Sequence, residues 1–405
     1  MQQLISLKLS KSLIGLSASL AIFHSTASEM ETFEQCQQRF STQASQQGYS
    51  ERIQQVIQSL SPVERVIKLD KSQPEFAQSF AQYVDKRVSQ YHIKHGRKML
   101  KEHANLLARL QKKYGIAPQY LVSFWGLETV FGRHKGKMSI LNSIATLACD
   151  KRRKQYFTSE LFNLFTLLDK NTVAVEQLSG SWAGAMGHMQ FMPSAMLKYA
   201  IDGDDDGKID VWQSEADALT SAANYLSKIG WQPSVRWGRE VLLPDNFDFS
   251  RFNFDTQYPL SKFAEAGVKQ ANGHSLPKAS IKAELVLPNG HKGHAFLVYR
   301  NFDIIMKWNL SKNYALSVGI LADKLVGAPG VQTIKDPKPL SFSRNQMEKL
   351  QAKLNEIGFE SGKPDGIWGP NSRKAIRAFQ LKHALVADGF PNKEVFSALE
   401  LAADS

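Results

Sequence analysis

Apolar residues recur every three or four positions from residue 31 to about residue 110, which is the period of amphipathic helices. Pro118 then suits the first turn of a further helix. In that helix four residues fall on one face, Leu121, Phe124, Trp125 and Glu128. A carboxylate therefore occupies an inward position where an apolar residue is expected. Either it is paired in the core or it faces a cleft, and the rarity of buried carboxylates without a function or a partner favours the cleft.

The pattern changes twice towards the C-terminus. Helical spacing continues through residues 156–169 and 217–229, whereas residues 235–300 contain short runs typical of strands. This predicts a small β-sheet inserted in a helical domain. Residues 327–340 are rich in Gly and Pro and predict a linker, and residues 341–405 predict a small helical unit. The predicted fold class is mainly α (α+β).

Residues 1–27 are typical of an export signal, with Lys8 and Lys11 before a short apolar stretch and small residues before the expected cleavage site. An amphipathic start of the mature protein is the alternative. The stretch is too short to span a bilayer, which takes about 20 apolar residues. No cysteine stands at the expected cleavage site, so no lipid anchor is expected, and the mature protein is predicted to be exported and soluble.

The composition restricts the partners. The 405 residues carry a net charge of +12, which favours anionic partners. The Lys and Arg residues look dispersed, which argues against nucleic acid and favours an acidic polymer of the cell envelope. The two cysteines, Cys36 and Cys149, predict either one disulfide in an oxidising compartment or two buried thiols, and the sequence leaves both open.

A second segment, residues 181–193, is rich in Gly, Ala and Met and contains Ser181 and Gln190. Small residues predict a close approach of the backbone to a bulky polar ligand, and close helix packing is the alternative. A lone carboxylate on an apolar helix is a candidate general acid, because lost solvation disfavours its charged form. Together, Glu128 and this segment indicate carbohydrate chemistry.

Several motifs, in order, make residues 33–326 similar to the lytic murein transglycosylase B family, whose members cleave the glycan strands of bacterial peptidoglycan. These motifs are Gly126-Leu127-Glu128-Thr129, Ala145-Thr146-Leu147-Ala148, Arg152-Arg153, residues 181–193, Asn224-Tyr225, Asn301-Phe302, Trp308-Asn309 and Tyr314-Ala315. Residues 341–401 resemble the peptidoglycan-binding type 1 module, mainly through residues 365–369 and Asp388-Gly389.

The resemblance implies a lysozyme-like helical catalytic domain over residues 28–326, a peptidoglycan-binding module over residues 341–405 and a periplasmic location. It also implies that Glu128 cleaves the β-1,4 bond between N-acetylmuramic acid and N-acetylglucosamine, first as general acid and then as base. The C6 hydroxyl of the sugar replaces the second carboxylate that ordinary glycosidases use, which leaves a 1,6-anhydro-muramyl end. The alternatives are a muramidase that hydrolyses the same bond and a catalytically silent wall-binding protein.

The resemblance also assigns substrate contacts to seven residues, Ser181, Gln190, Tyr225, Trp308, Asn309, Arg152 and Arg153. The two arginines are expected to pair with carboxylates of the peptide stems. A structural tyrosine and solvated arginines are the alternatives. His188, Met189 and Trp308 depart from the family pattern, so the contacts along the cleft are expected to differ.

Residues 202–217 resemble an EF-hand loop, with carboxylates at loop positions 1, 3, 5 and 9 and glycine at position 6. Gln213 replaces the usual glutamate at position 12, so Asp217 or Glu215 is expected to serve instead. The predicted ligands are Asp202, Asp204, Asp206, Lys208, Asp210 and Asp217. They predict a structural calcium or sodium ion, with an acidic turn as the alternative.

No cofactor is expected for the chemistry. Glycan strands are the expected partner, without nucleic acid or a membrane span. Other cell-wall enzymes are further candidates, and the chain is expected to be a monomer.

Overall fold

The computed structural model describes residues 31–72, 79–328 and 342–401. The predicted signal segment and nearly all of the predicted linker lie outside the described residues. Seventeen α-helices form within the described ranges: α1 Phe33–Gln46, α2 Glu51–Gln58, α3 Glu64–Ser72, α4 Phe80–Arg87, α5 Gln90–Glu102, α6 Ala104–Tyr114, α7 Pro118–Thr129, α8 Ile140–Cys149, α9 Lys154–Asp169, α10 Pro193–Tyr199, α11 Glu215–Lys228, α12 Leu260–Glu265, α13 Arg300–Trp308, α14 Lys312–Leu325, α15 Arg344–Glu356, α16 Pro370–Lys382 and α17 Lys393–Ala398.

The described residues also form seven strands: β1 Met138–Ser139, β2 Ser179–Gly180, β3 Gly238–Leu242, β4 Tyr258–Pro259, β5 Lys269–Gln270, β6 Lys282–Val286 and β7 Ala295–Val298. Strands β1 and β2 pair with each other, and the other five form an antiparallel sheet in the order β4-β6-β7-β3-β5. The predicted class, mainly helical with a small sheet inserted between α11 and α13, is confirmed.

Helix α7 lies in the middle of the helical domain, where it packs against α5, α6, α11 and α14. It starts at Pro118, whose missing N–H costs nothing at a first helical position, and Phe124 and Trp125 are fully buried. Burial of such a side chain stabilises the fold by about 1.5–3 kcal/mol. Helix α14 contacts Trp237 through Gly319, where an added Cβ would lie 2.1 Å from the indole. The helix that carries Glu128 is therefore held on several sides.

A disulfide joins Cys36 of α1 to Cys149 of α8. The two alternatives left open by the sequence are thus resolved in favour of the bond. It connects the N-terminal helix to the helical domain across 113 residues of sequence. No helix in the described part of the chain is both long and apolar enough to cross a membrane.

The C-terminal module contains α15, α16 and α17 around its own small core, and it contacts the inserted sheet. The Nδ1 atom of His291 lies 2.5 Å from a carboxylate oxygen of Asp388, which is 2% exposed. The Arg377 guanidinium donates hydrogen bonds to the backbone carbonyls of Phe249, Ser250 and Phe252. Polar contacts therefore fix the position of the module against the sheet.

Candidate active site

Glu128 lies in the last turn of α7 and is half-buried. Its Oε1 atom accepts two hydrogen bonds, from Trp308 Nε1 at 2.9 Å and from the Tyr314 hydroxyl at 2.5 Å. Trp308 ends α13 and Tyr314 lies in the first turn of α14, so the two donors flank the short connection between these helices. Because two donors occupy Oε1, a proton on this carboxyl group belongs on Oε2.

The chain turns sharply just after Glu128. Val130 and Phe131 have backbone φ angles of 51° and 59°, in the left-handed region that residues other than glycine seldom adopt. The Thr129 hydroxyl holds this turn, since it donates to the His188 carbonyl at 2.7 Å and accepts from the Gly132 N–H at 2.9 Å. These bonds connect the end of α7 to the 181–193 segment and fix the position of the carboxylate.

Aromatic rings pack beside the carboxylate. The Trp308 ring lies 4.6 Å from Phe124, 5.0 Å from Tyr225 and 5.6 Å from Phe191, measured between ring centres. Tyr225 also stacks on Tyr199 at 4.6 Å, and burial raises the pKa of the Tyr225 hydroxyl. The structure therefore brings Tyr225 and Trp308 together with Glu128. Such ring faces suit the apolar faces of sugar rings.

Tyr314 is a functional candidate that sequence reasoning named only as part of a motif. Its side chain is buried, and burial followed by the nearby Glu128 carboxylate raises the pKa of its hydroxyl well above the ordinary value. The hydroxyl therefore stays a hydrogen-bond donor at neutral pH. Tyr314 follows Trp308 by six positions, so the sequence places the two residues close together in the chain. Only the fold shows that both donate to the same oxygen of Glu128.

The glycines of the 181–193 segment serve the fold itself. Gly184 and Gly187 have φ of 88° and 67°, and an added Cβ would lie 2.3 Å from Ile144 and from the Val211 carbonyl oxygen, respectively. Close packing, the alternative to a close approach of a ligand, therefore explains these two small residues.

Asn309 directly follows Trp308, and its side chain accepts a hydrogen bond from the Ser311 N–H at 3.0 Å.

Ser181 and Gln190 make hydrogen bonds within their surroundings. The Ser181 hydroxyl accepts from the Ala185 N–H at 2.9 Å. The Gln190 amide donates to the carbonyls of Lys135 and Gly187 at 3.2 and 3.0 Å. Gln190 itself has a φ of 50°, and the next residue along the chain contacts Trp308. Contacts of Ser181, Gln190 and Asn309 with a substrate stay predictions.

His188 packs against α7 and binds one of its side chains. Its Nδ1 accepts a hydrogen bond from Trp125 Nε1 at 3.0 Å, and its side chain is 5% exposed. Burial, and next the charge of Lys135, lower the pKa of His188 to about 4. The imidazole is therefore neutral at pH 7, as the hydrogen bond from the indole requires.

Arg152 and Arg153 both bind Asp70, a residue of α3. Arg152 donates to a carboxylate oxygen of Asp70 at 2.7 Å, and Arg153 binds the other oxygen. Asp70 is 3% exposed, so the two guanidinium groups compensate a buried charge. A contact of either arginine with peptide stems stays a prediction.

The acidic loop gathers three of its carboxylates. Ligand atoms of Asp202, Asp204 and Asp217 lie within 4.8 Å of one another. Asp217 is 1% exposed, and burial raises the pKa of its carboxyl group. Carboxylates of Asp206 and Asp210 accept hydrogen bonds from backbone N–H groups of the same loop. The three gathered carboxylates fit an oxygen-liganded cation such as calcium, whereas ligation by Asp206, Lys208 and Asp210 stays a prediction.

The comparisons with known proteins agree with this arrangement. A family model described as the transglycosylase SLT domain matches residues 32–323. The chain belongs to this family. A second model, for a peptidoglycan binding domain, matches residues 343–399 of this SLT transglycosylase-family protein.

A relative of this SLT transglycosylase-family protein occurs in Escherichia coli. Membrane-bound lytic murein transglycosylase B of Escherichia coli (strain K12) is 31% identical over 245 residues, which is 59% of this chain and 65% of that protein. The chain therefore matches less than two thirds of the length of this relative.

Solved structures from two bacteria are among those similar to this chain. SltB3 from Pseudomonas aeruginosa, in complex with NAG-anhNAM-pentapeptide, has a TM-score of 0.84 and 37% identity, covering 91% of this chain and 100% of that one. The Escherichia coli lytic transglycosylase SLT35, in complex with calcium, has a TM-score of 0.63 and 28% identity. This match covers 72% of the present chain and 92% of SLT35.

Proposed function

We propose that this protein is a peptidoglycan lytic transglycosylase. It cleaves the β-1,4 bond between N-acetylmuramic acid and N-acetylglucosamine without water. The observation that carries the proposal is the carboxyl group of Glu128, oriented at Oε1 by Trp308 and Tyr314, in a chain of the SLT transglycosylase family. The ligand of SltB3, which contains an anhydro-muramyl sugar, supports the same reaction class.

In the first step, Oε2 of protonated Glu128 gives its proton to the glycosidic oxygen as the bond to the anomeric carbon breaks. Positive charge develops on the muramyl ring, and its N-acetyl group helps to stabilise that charge. In the second step, the C6 hydroxyl of the same sugar attacks the anomeric carbon and Glu128 accepts the hydroxyl proton. Glu128 ends protonated, as it began, and the product carries a 1,6-anhydro ring.

The test is a digest of purified sacculi analysed by mass spectrometry. The wild-type protein should release anhydro-muramyl products, and Glu128→Gln should lose nearly all release, because the amide cannot donate an acidic proton. Glu160→Gln is the matched control, since Glu160 is also buried but binds Ser194. Reducing muramic ends would show a muramidase instead, and unchanged release by Glu128→Gln would refute an enzymatic role for this carboxylate.

We further propose that the protein works in the periplasm. A cell-wall substrate and the Cys36–Cys149 disulfide, which persists in oxidising compartments, both support this location. Export through residues 1–27, a monomeric state and the absence of a lipid anchor stay predictions. The C-terminal module is proposed to hold the enzyme on the wall, so removal of residues 341–405 should weaken co-sedimentation with sacculi. Retained binding would refute that role.

We also propose a structural calcium site at Asp202, Asp204 and Asp217. The three carboxylates and the calcium complex of SLT35 support this assignment. The ion would neutralise charge that the protein otherwise holds partly buried. No step of the reaction needs it, because the acid, the base and the nucleophile are supplied by Glu128 and the sugar.

A further inference from the structure

Most of the net positive charge of the chain comes from one segment. Residues 86–137 contain twelve lysines and arginines but two carboxylates, Glu102 and Glu128, while the whole chain carries a net charge of +12. This segment covers the end of α4, helices α5, α6 and α7, and the loop before β1. Because α5, α6 and α7 pack against one another, the fold gathers these charges.

Four residues of this segment form a basic platform, defined as Arg87, Tyr91, His95 and Arg133. The Tyr91 ring stacks on His95 with the ring centres 3.8 Å apart. Arg133 donates a hydrogen bond to the Tyr91 hydroxyl, and its guanidinium carbon lies 5.5 Å from the centre of that ring. At the end of α4, the Arg87 guanidinium lies 3.9 Å from the ring centre of Tyr83. Arg133 therefore contacts the stacked Tyr91–His95 pair, and Arg87 lies against the buried ring of Tyr83.

The basic platform adjoins the catalytic carboxylate. Arg133 follows Glu128 by five positions, and the turn between them packs Phe131 against His92 of α5 at 6.3 Å. Arg87 is close enough to Tyr314 to oppose the upward shift in the pKa of its hydroxyl, and that hydroxyl donates to Glu128. Arg87 therefore lies within electrostatic range of the tyrosine that binds Glu128, and Arg133 follows the turn at the end of the same helix.

No acidic side chain neutralises the basic platform within residues 31–72, 79–328 and 342–401. Arg87, His95 and Arg133 take part in none of the ion pairs formed there. By contrast, Arg152 and Arg153 both bind Asp70. In the described residues, the guanidinium groups of Arg87 and Arg133 contact tyrosine side chains rather than carboxylates.

We propose that the basic platform binds the carboxylates of the peptide stem attached to the muramyl sugar at the cleaved bond. This inference rests on the proposed function. A guanidinium group matches a carboxylate in two parallel hydrogen bonds, and the stacked Tyr91 and His95 rings offer a flat surface to the peptide. An anionic lipid surface would also attract positive charge, but the position of the platform beside Glu128 favours the substrate.

The test measures binding without turnover, in the full-length chain with Glu128→Gln. Two probes are compared by calorimetry, a NAG-NAM disaccharide with a pentapeptide stem and the same disaccharide without it. The probe with the stem should bind more tightly than the probe without it. The double variant Arg87→Gln with Arg133→Gln should reduce this gain in affinity about tenfold, which corresponds to the loss of two partly exposed ion pairs. Arg133→Lys, which keeps the charge, should restore part of the gain, and 0.5 M salt should weaken it.

The matched control is Lys112→Gln with Lys113→Gln, which removes the same charge from α6 outside the platform. It should leave the gain from the stem unchanged. An equal loss in both double variants, or no loss in the platform variant, would overturn the inference. The inference would also be overturned if the platform variant lost binding to vesicles of anionic phospholipid but kept the gain in affinity from the stem. The anhydro-product assay with wild type tests the proposed function separately, so the two failures are distinguishable.

Discussion

Replacement of Tyr314 by phenylalanine removes one oxygen atom from the surroundings of Glu128. The Tyr314 hydroxyl donates to Oε1 at 2.5 Å, and Trp308 donates to the same atom at 2.9 Å. In Tyr314→Phe, Oε1 keeps the hydrogen bond from the Trp308 indole and loses the one from the tyrosine. The ring of phenylalanine fills the same buried volume, so the variant tests the hydrogen bond rather than the packing.

The magnitude follows from the type of bond. A hydrogen bond to a charged group contributes about 1.5–3 kcal/mol. If the bond stabilises the carboxylate as the glycosidic bond breaks, its loss should reduce kcat roughly 10-fold to 150-fold. KM should change little, because Tyr314 is buried and touches the carboxylate rather than the sugar.

The assay is the rate of anhydro-muramyl product release, with the melting temperature measured in parallel. Tyr120→Phe is the matched control, since Tyr120 is a buried tyrosine on α7 whose hydroxyl accepts from the Trp237 N–H at 3.1 Å. It should lower stability and leave kcat within about twofold of wild type. A kcat of Tyr314→Phe equal to that of wild type would refute the role of this hydrogen bond, and an equal loss in both variants would indicate a structural effect.

Three further predictions concern stability. Cys36→Ser with Cys149→Ser should cost up to about 4.8 kcal/mol of unfolding free energy, because the 113-residue loop is no longer closed; an unchanged denaturant midpoint would contradict this. Calcium at about 100 times its dissociation constant should add about 2.7 kcal/mol and raise the melting temperature, and Asp217→Asn should abolish the increase. If a chelator leaves the melting temperature of the wild-type protein unchanged, the proposed calcium site is refuted. His188 has a pKa of about 4 in the folded protein and near 6.5 when unfolded, so the unfolded state binds more protons between these values. Stability should therefore fall as pH falls through this window, by at most about 3 kcal/mol, and His188→Gln should flatten the decline measured by denaturation at several pH values; the same slope in both proteins would count against it.

The fold was largely predictable because its signals are local. The periodicity of residues 118–129 and the proline at position 118 predicted α7, and the strand runs at 239–244 and 281–287 overlap β3 and β6. Such signals depend on neighbours in the chain. The extent of the domains, by contrast, depended on the resemblance.

The candidate site was predictable only in part. Glu128 was identified because a carboxylate broke an apolar helical face. The second donor to its Oε1, Tyr314, lies 186 residues away in sequence, and its role could not be read from spacing. The partner of Arg152 and Arg153, Asp70, lies more than 80 residues away in sequence, so this contact could not be read from spacing either, and their contact with peptide stems stays a prediction.

The sequence by itself thus determined the helices, the inserted sheet and the residue at the centre of the site, because these features follow from period, turn residues and one misplaced charge. Only the tertiary structure decided which groups surround that residue. It joined Cys36 to Cys149 and placed two donors on one carboxylate oxygen. Hydrogen bonds and ion pairs act over a few ångströms in space, and residues far apart in the chain meet at that distance only after the helices have packed.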